Sequence, residues 1–160
     1  MKISYKGDYA IKTVIALASI YIEESTRLVK IDEISKTQDI PKKFLEQILL
    51  QLKNAGIVRS ERGASGGYAL RKDPASIKLG EIIRLIEGTT APIACVSCTD
   101  YKACEFEGKC AIKPVWQQVR EVVNSIVDNI TVQELAERQS EIDKSLSGTM
   151  SLKFKGGMYF

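Results

Sequence analysis

Apolar residues recur at helical spacing through "YAIKTVIALASIYI", where Ile11, Val14, Ile15, Ala18 and Ile22 share a face and predict a first helix ending near Glu24. "KIDEISKT" predicts a short second helix with Ile31 and Ile34 inward. After the turn "QDI", the stretch "PKKFLEQILLQLKNAG" places Pro41 in a first helical turn, Phe44, Leu45, Ile48, Leu49 and Leu52 on one face, and Gly56 at the stop. The period then shortens to two over 57–60 and 68–70, which read as two strands around a glycine-rich loop. "SIKLGEIIRLIEG" restores the helical period, with Ile82, Ile83, Leu85 and Ile86 largely buried and Gly88 ending the helix. "KPVWQQVREVVNSIVDNI" carries Val115, Val119, Val122, Ile126 and Ile130 on a stripe widened by Trp116, Val123 and Val127. "TVQELAERQ" adds a further short helix, and "SLSGTMSLKFKGGMYF" has no strong period, which suits a flexible tail or a short strand.

The order of these elements predicts a mainly α fold with a small β-wing: a winged helix-turn-helix followed by a long C-terminal dimerisation helix. The expected organisation is a DNA-binding domain over 1–88, a cysteine-rich loop over 89–112, the dimerisation helix over 113–132 and a C-terminal extension over 133–160. An apolar helix placed after a module with a filled core needs a surface to bury against, and a twofold partner supplies it. A homodimer would also present two reading heads to paired half-sites.

Charge sharpens the DNA reading. The whole chain carries only +3, yet residues 41–72 hold seven bases (Lys42, Lys43, Lys53, Arg59, Arg62, Arg71, Lys72) against Glu46 and Glu61. The candidate contacts to a double-stranded operator are Lys42, Lys43, Glu46 and Gln47 at the start of the third helix and Arg59, Arg62, Gly66 and Gly67 in the wing. Lysine and arginine would meet phosphates, Gln47 a base edge, and Glu46 would accept from cytosine or repel wrong sequences.

Cysteine usage points to a second chemistry. Cys95, Cys98, Cys104 and Cys110 all lie in "CVSCTDYKACEFEGKC". No N-terminal stretch has signal-peptide shape and the most apolar run is too short to span a bilayer, so a cytoplasmic protein without membrane contact is expected. In that reducing compartment clustered cysteines bind metal or do redox work rather than form bridges. Thiolates suit an iron–sulfur cluster or zinc, but compact zinc sites use paired C-x2-C knuckles and this chain has one such pair and no histidine. Cys95 and Cys98 as the C-x-x-C of an oxidoreductase lack the βαβ context such catalysts use, so no enzyme is expected.

"MKISYKGDYA", "FLEQIL", "LKNAGIVRSERGASGGYAL", the cysteine loop and "PVW" together resemble the Rrf2 family of winged-helix regulators typified by IscR, NsrR and RirA, from Met1 to about Leu135. The resemblance implies a homodimer whose long helices cross, with a cluster, [2Fe–2S] or [4Fe–4S], or another sensing site between that helix and the partner's DNA-binding domain. Cluster-binding members ligate through cysteines spaced C-x5-C-x5-C, which here are Cys98, Cys104 and Cys110. Asp8 matches the position that supplies a carboxylate in NsrR-like members, Cys95 is the local alternative for the fourth ligand, and Lys113 stands where some relatives have a ligating histidine. The implied function is a cluster-sensing regulator, a repressor of genes for iron–sulfur assembly, iron handling or nitrosative stress. The alternative is a zinc-stabilised or cluster-free regulator of cysteine and sulfur metabolism.

Overall fold

The computed structural model describes the backbone of residues 2–155, with side chains through residue 146. Helix α1 (Tyr5–Glu23) starts where Ser4 stays extended and its hydroxyl accepts from the Gly7 N–H at 3.1 Å, satisfying one of the free donors of the first turn. Its inward face is Ala10, Val14, Leu17 and Ala18, with Thr13 buried and its hydroxyl returned to the Tyr9 carbonyl at 2.7 Å. The sequence pattern set that face one step off: Ile11 and Ile15 are only half-buried and Ile22 is exposed. Val14 and Ala18 are buried as expected, and Ala10 and Leu17 join them; small Ala10 and Ala18 let a neighbouring helix approach.

Helices α2 (Ile31–Gln38) and α3 (Lys42–Asn54) flank a tight turn. Asp39 takes the left-handed conformation that stops α2, and the Ser35 hydroxyl donates to the Ile40 carbonyl at 2.7 Å. Pro41 caps α3 from an extended conformation instead of forming its first turn, and with no N–H it leaves no donor unsatisfied there. Leu45, Ile48, Leu49 and Leu52 of α3 are fully buried, each stabilising the fold by about 1.5–3 kcal/mol. Phe44, expected on that face, is half-exposed and instead sets its ring edge against Tyr9, 6.1 Å between centroids.

The wing consists of β1 (Val58–Glu61) and β2 (Gly67–Leu70), antiparallel, with Val58 opposite Leu70 and Glu61 opposite Gly67. Gly63 turns the hairpin at φ +111°, a conformation that L side chains rarely adopt. A third segment joins through a bridge from Val29 to Tyr68. Helix α4 (Leu79–Glu87) buries Ile82 and Ile83 and ends at Gly88.

Residues 89–112 form a loop with two single 3-10 turns, Ala94–Val96 and Glu107–Lys109. Helix α5 (Lys113–Val127) follows, shorter at its end than the pattern suggested, so Ile130 lies beyond it. Ile130 accepts at its carbonyl from the Leu79 N–H at 3.0 Å, and Val132 N–H donates to the Ile77 carbonyl at 2.9 Å. The chain thereby returns to the base of α4. Helix α6 (Val132–Lys155) is capped by a reciprocal pair, Thr131 and Glu134, and lies along α1 with Val132 and Ala136 in the main core. It is longer than "TVQELAERQ", and the weakly periodic stretch after it is helical through Lys155. The rest of that stretch, 156–160, lies outside the described residues.

Candidate nucleic-acid interface and cysteine loop

The first turns of α3 present Lys42, Lys43, Glu46 and Gln47 to solvent on the face opposite Leu45, Ile48 and Leu49. That division follows from the helical period, which puts 42, 43, 46 and 47 on one stripe and 45, 48, 49 and 52 on the other. Lys42 is ion-paired with Asp32 of α2 at 2.7 Å. The hydrogen bond from Lys42 holds the Asp32 carboxyl below its ordinary range, and Asp32 in turn raises Lys42. Both side chains are more than half exposed, so the pair is exchangeable for a phosphate.

In the wing, Arg62 is exposed at the hairpin tip and makes no ion pair among the described residues. Arg59 is more restrained: it pairs with Glu61 and reaches the Thr26 carbonyl at 3.4 Å. Gly66 and Gly67 are half-buried and sit against backbone, the first at the Glu61 carbonyl and the second at Val29. Their close approach shapes the hairpin that carries the arginines.

The cysteine loop is fixed in two halves. In the first, Thr99 donates to the Gly88 carbonyl at 2.8 Å and Thr89 shares a 2.9 Å bond with Ser97. Thr90 donates to Asn124 at 2.6 Å and Arg120 to the Val96 carbonyl at 2.8 Å, so α4's end and the middle of α5 both hold it. In the second half, Glu107 accepts from Lys113 with one carboxylate oxygen and from the Tyr101 hydroxyl, at 2.6 Å, with the other. Lys113 first and Tyr101 second hold Glu107 below the usual carboxylate range, while Glu107 raises both of them. Sequence reasoning had noted Lys113 as a departure from relatives and had missed Tyr101, Glu107 and Arg120. The spacing of Tyr101 and Glu107, each three residues after a cysteine, was an available signal; nothing in the sequence marked Arg120.

All four cysteines are free thiols, Cys98 and Cys104 exposed and Cys95 and Cys110 half-buried. Three such thiols in thirteen residues, on a loop tethered at both ends, fit in kind the donors that an iron–sulfur cluster takes. They are not gathered: among the described residues no three His, Cys, Asp or Glu side chains are placed to hold a metal ion. Asp8 stands in the first turn of α1 with its carboxylate on Lys12 at 2.6 Å, and the structure does not bring it together with the loop.

Along α5 the apolar stripe divides. Trp116 and Val123 are half-buried and Val127 buried on their own chain, whereas Val115, Val119, Val122 and Ile126 are 46, 39, 60 and 55 % exposed, an open face along the helix. Among the described residues no helix is long and apolar enough to cross a membrane.

Comparison with known proteins agrees with this architecture. The family Rrf2, described as "Iron-dependent Transcriptional regulator", matches residues 3–138. The transcriptional regulator IscR of Klebsiella pneumoniae is 32 % identical over 145 residues, covering 91 % of this chain and 85 % of that one. Among solved structures, CymR, the global cysteine regulator of B. subtilis, superposes with TM-score 0.72 at 33 % identity over 86 % of this chain and 98 % of its own. IscR of T. potens does so with TM-score 0.70 at 31 % identity, over 89 % and 90 %.

Proposed function

Because this chain belongs to the Rrf2 family and is therefore a winged-helix, DNA-binding transcriptional regulator and not an enzyme, we propose that it is an iron–sulfur-cluster sensor that represses its targets as a homodimer. The observation that carries the proposal is the set of three free thiols, Cys98, Cys104 and Cys110, at C-x5-C-x5-C spacing in a loop bonded to both α4 and α5. The family description as iron-dependent supports it. A bound cluster would supply redox-sensitive, releasable iron. The three cysteines would hold it, with Asp8 or Cys95 as the fourth protein donor. Asp8 is not joined to its own loop, so its ligation calls for the loop of a second copy, and it would first exchange Lys12 for iron.

What the chain's own residues contribute is a short route from loop to reading head. Thr99 and Ser97 flank Cys98 and are bonded to Gly88 and Thr89. The preceding residue, Glu87, accepts from the Ser4 N–H and hydroxyl at 2.9 and 2.7 Å, and Ser4 caps α1. A change in loop conformation therefore acts on the start of α1, which packs on α3. Lys42, Lys43 and Arg62 meet phosphates, Gln47 a base, and Glu46 adjusts selectivity. The open face of α5 pairs with its copy.

The likeness to CymR favours a second reading, a cluster-free regulator of cysteine metabolism. Anaerobic purification followed by visible absorption, iron and zinc analysis and operator titration separates the two. A brown, iron-containing protein whose operator affinity changes about tenfold on iron removal supports the sensor, a coupling of about 1.4 kcal/mol. A colourless, iron-free protein with unaltered binding supports the CymR-like reading, and stoichiometric zinc a structural metal.

A further inference from the structure

The cysteine loop carries two interleaved triplets of the same cadence. Cys98, Cys104 and Cys110 are six residues apart, and so are Tyr101, Glu107 and Lys113, offset by three. In the structure the thiols are free and two of them exposed, while the second triplet is closed: Tyr101 and Lys113 both donate to the carboxylate of Glu107. Glu107 lies midway between Cys104 and Cys110, Tyr101 midway between Cys98 and Cys104, and Lys113 is the first residue of α5. Two donors twelve positions apart are thus drawn to one carboxylate between them.

We propose that Tyr101, Glu107 and Lys113 form a metal-independent clasp that keeps the cysteine loop folded on the start of α5 when no cofactor is bound, with Glu107 as its positioning residue. The second half of the loop has little else to order it. Its other main-chain bonds among the described residues are local turns, from the N–H groups of Glu107, Lys109 and Lys113 to the carbonyls of Cys104, Phe106 and Cys110, and one 3.3 Å link from Lys102 N–H to Ala94, whereas the first half has four tertiary side-chain bonds. The Lys113 and Glu107 side chains are 19 and 31 % exposed, more sheltered than an ordinary surface pair, and the Tyr101 bond is of the short, charge-assisted kind. Cys95 lies close enough to Tyr101 and Lys113 to act on their charge, and the Cys110 carbonyl accepts from the Lys113 N–H at 3.3 Å, so both half-buried thiols neighbour the clasp. Lys113 presents an ammonium, a donor with no free lone pair, and it serves to hold the loop.

The clasp deepens the role proposed for the loop, but it is tested on protein freed of iron by chelation and fully reduced, so a failure of the cluster reading leaves the test intact. The rate of iodoacetamide alkylation is measured by mass spectrometry at each of the four cysteines in the full-length wild type, Glu107→Gln, Tyr101→Phe and, as a control on an exposed loop acid outside the clasp, Glu105→Gln. Glu107→Gln is expected to speed alkylation of half-buried Cys95 and Cys110 about fivefold, the size of effect expected for a partly exposed ion pair combined with a charge-assisted hydrogen bond. Tyr101→Phe gives a smaller increase, Glu105→Gln none, and 1 M salt accelerates the wild type but not Glu107→Gln. Tyr101→Phe removes one hydroxyl and keeps the test available if Glu107→Gln misfolds. Equal rates at Cys95 and Cys110 in the wild type and both clasp variants, or an equal acceleration by Glu105→Gln, overturn the proposal.

Discussion

Val29 and Tyr68 exchange both main-chain hydrogen bonds, at 2.9 and 2.8 Å, and so attach the wing to the segment that leads into α2. The wing is a three-segment patch whose innermost member precedes the helix-turn-helix in the chain. Gly67 makes this attachment fit, since a Cβ there would lie 2.6 Å from the Val29 carbonyl oxygen, closer than real side chains come.

Gly67→Ala is accordingly expected to destabilise the protein by about 2 kcal/mol, read as a fall of several degrees in thermal midpoint. Gly108→Ala, with open space at its Cβ, serves as the neutral comparison. An unshifted midpoint in Gly67→Ala would show that the Val29 segment yields freely.

For DNA binding, Arg62→Ala should weaken all sequences alike and lower the slope of log affinity against log salt by about 0.9. Arg59 is partly neutralised by Glu61, so Glu61→Gln should raise affinity for arbitrary DNA and steepen the same slope. If both slopes match wild type in fluorescence anisotropy titrations, the wing does not meet the backbone.

Alanine at Cys98, Cys104 or Cys110 is expected to abolish a stable cluster, since two thiolates leave too few donors to hold the iron. Asp8→Ala should alter the visible spectrum and speed loss in air, with Cys95→Ala resembling wild type. Lys12→Met, which releases the Asp8 carboxylate, should slow that loss. Wild-type behaviour of Asp8→Ala together with cluster loss in Cys95→Ala would instead mark an all-thiolate site.

The Asp32–Lys42 pair gives a pH signature. Asp32 is depressed in the folded chain, so its contribution is present above the ordinary value of 3.8 and disappears as pH falls through the lower folded value. Lys42 is raised, so its contribution holds below 10.5 and disappears as pH rises through the higher folded value. Asp32→Asn should therefore lower the thermal midpoint slightly at pH 6 and low salt, with the difference vanishing once pH falls below the depressed folded value. Both groups are exposed, so high salt should erase it too. The same variant frees Lys42 for phosphate, and operator affinity should rise.

Val122→Glu places a charge on the open stripe of α5, and sedimentation at micromolar concentration should show dissociation of a dimer to monomers with unchanged helix content. A monomeric wild type would leave that face to another partner.

The alternation of periods was enough to read the helix-turn-helix and wing from sequence, because Leu45, Ile48, Leu49 and Leu52 repeat cleanly and the glycine-rich hairpin breaks the helical rhythm. Three things were hidden for physical reasons. On the inner face of α1, Ala10 and Leu17 were missed, and the value of Ala10 lies in close packing rather than hydrophobicity. The length of α6 was masked by polar residues, since among its described side chains only Val132 and Ala136 are fully buried. The Val29 bridge pairs segments nearly forty positions apart, and no local pattern encodes such pairing. For the site, the cysteines and bases were legible as residue types at fixed spacing. The clasp depends on which side chains the loop brings together.

Val132 and Ala136 belong to the same core as Ala10, Leu45 and Ile82. The reading head is thus assembled from two stretches of chain that bracket everything between α4 and α6. During synthesis, which proceeds from the N-terminus at about 5–20 residues per second, that core stays open until residue 136 has emerged from the ribosome. By then the cysteine loop and α5 have already been made. No finished head exists before the cysteine loop and the open face of α5 do, so a nascent chain stalled earlier is an incomplete competitor for the operator.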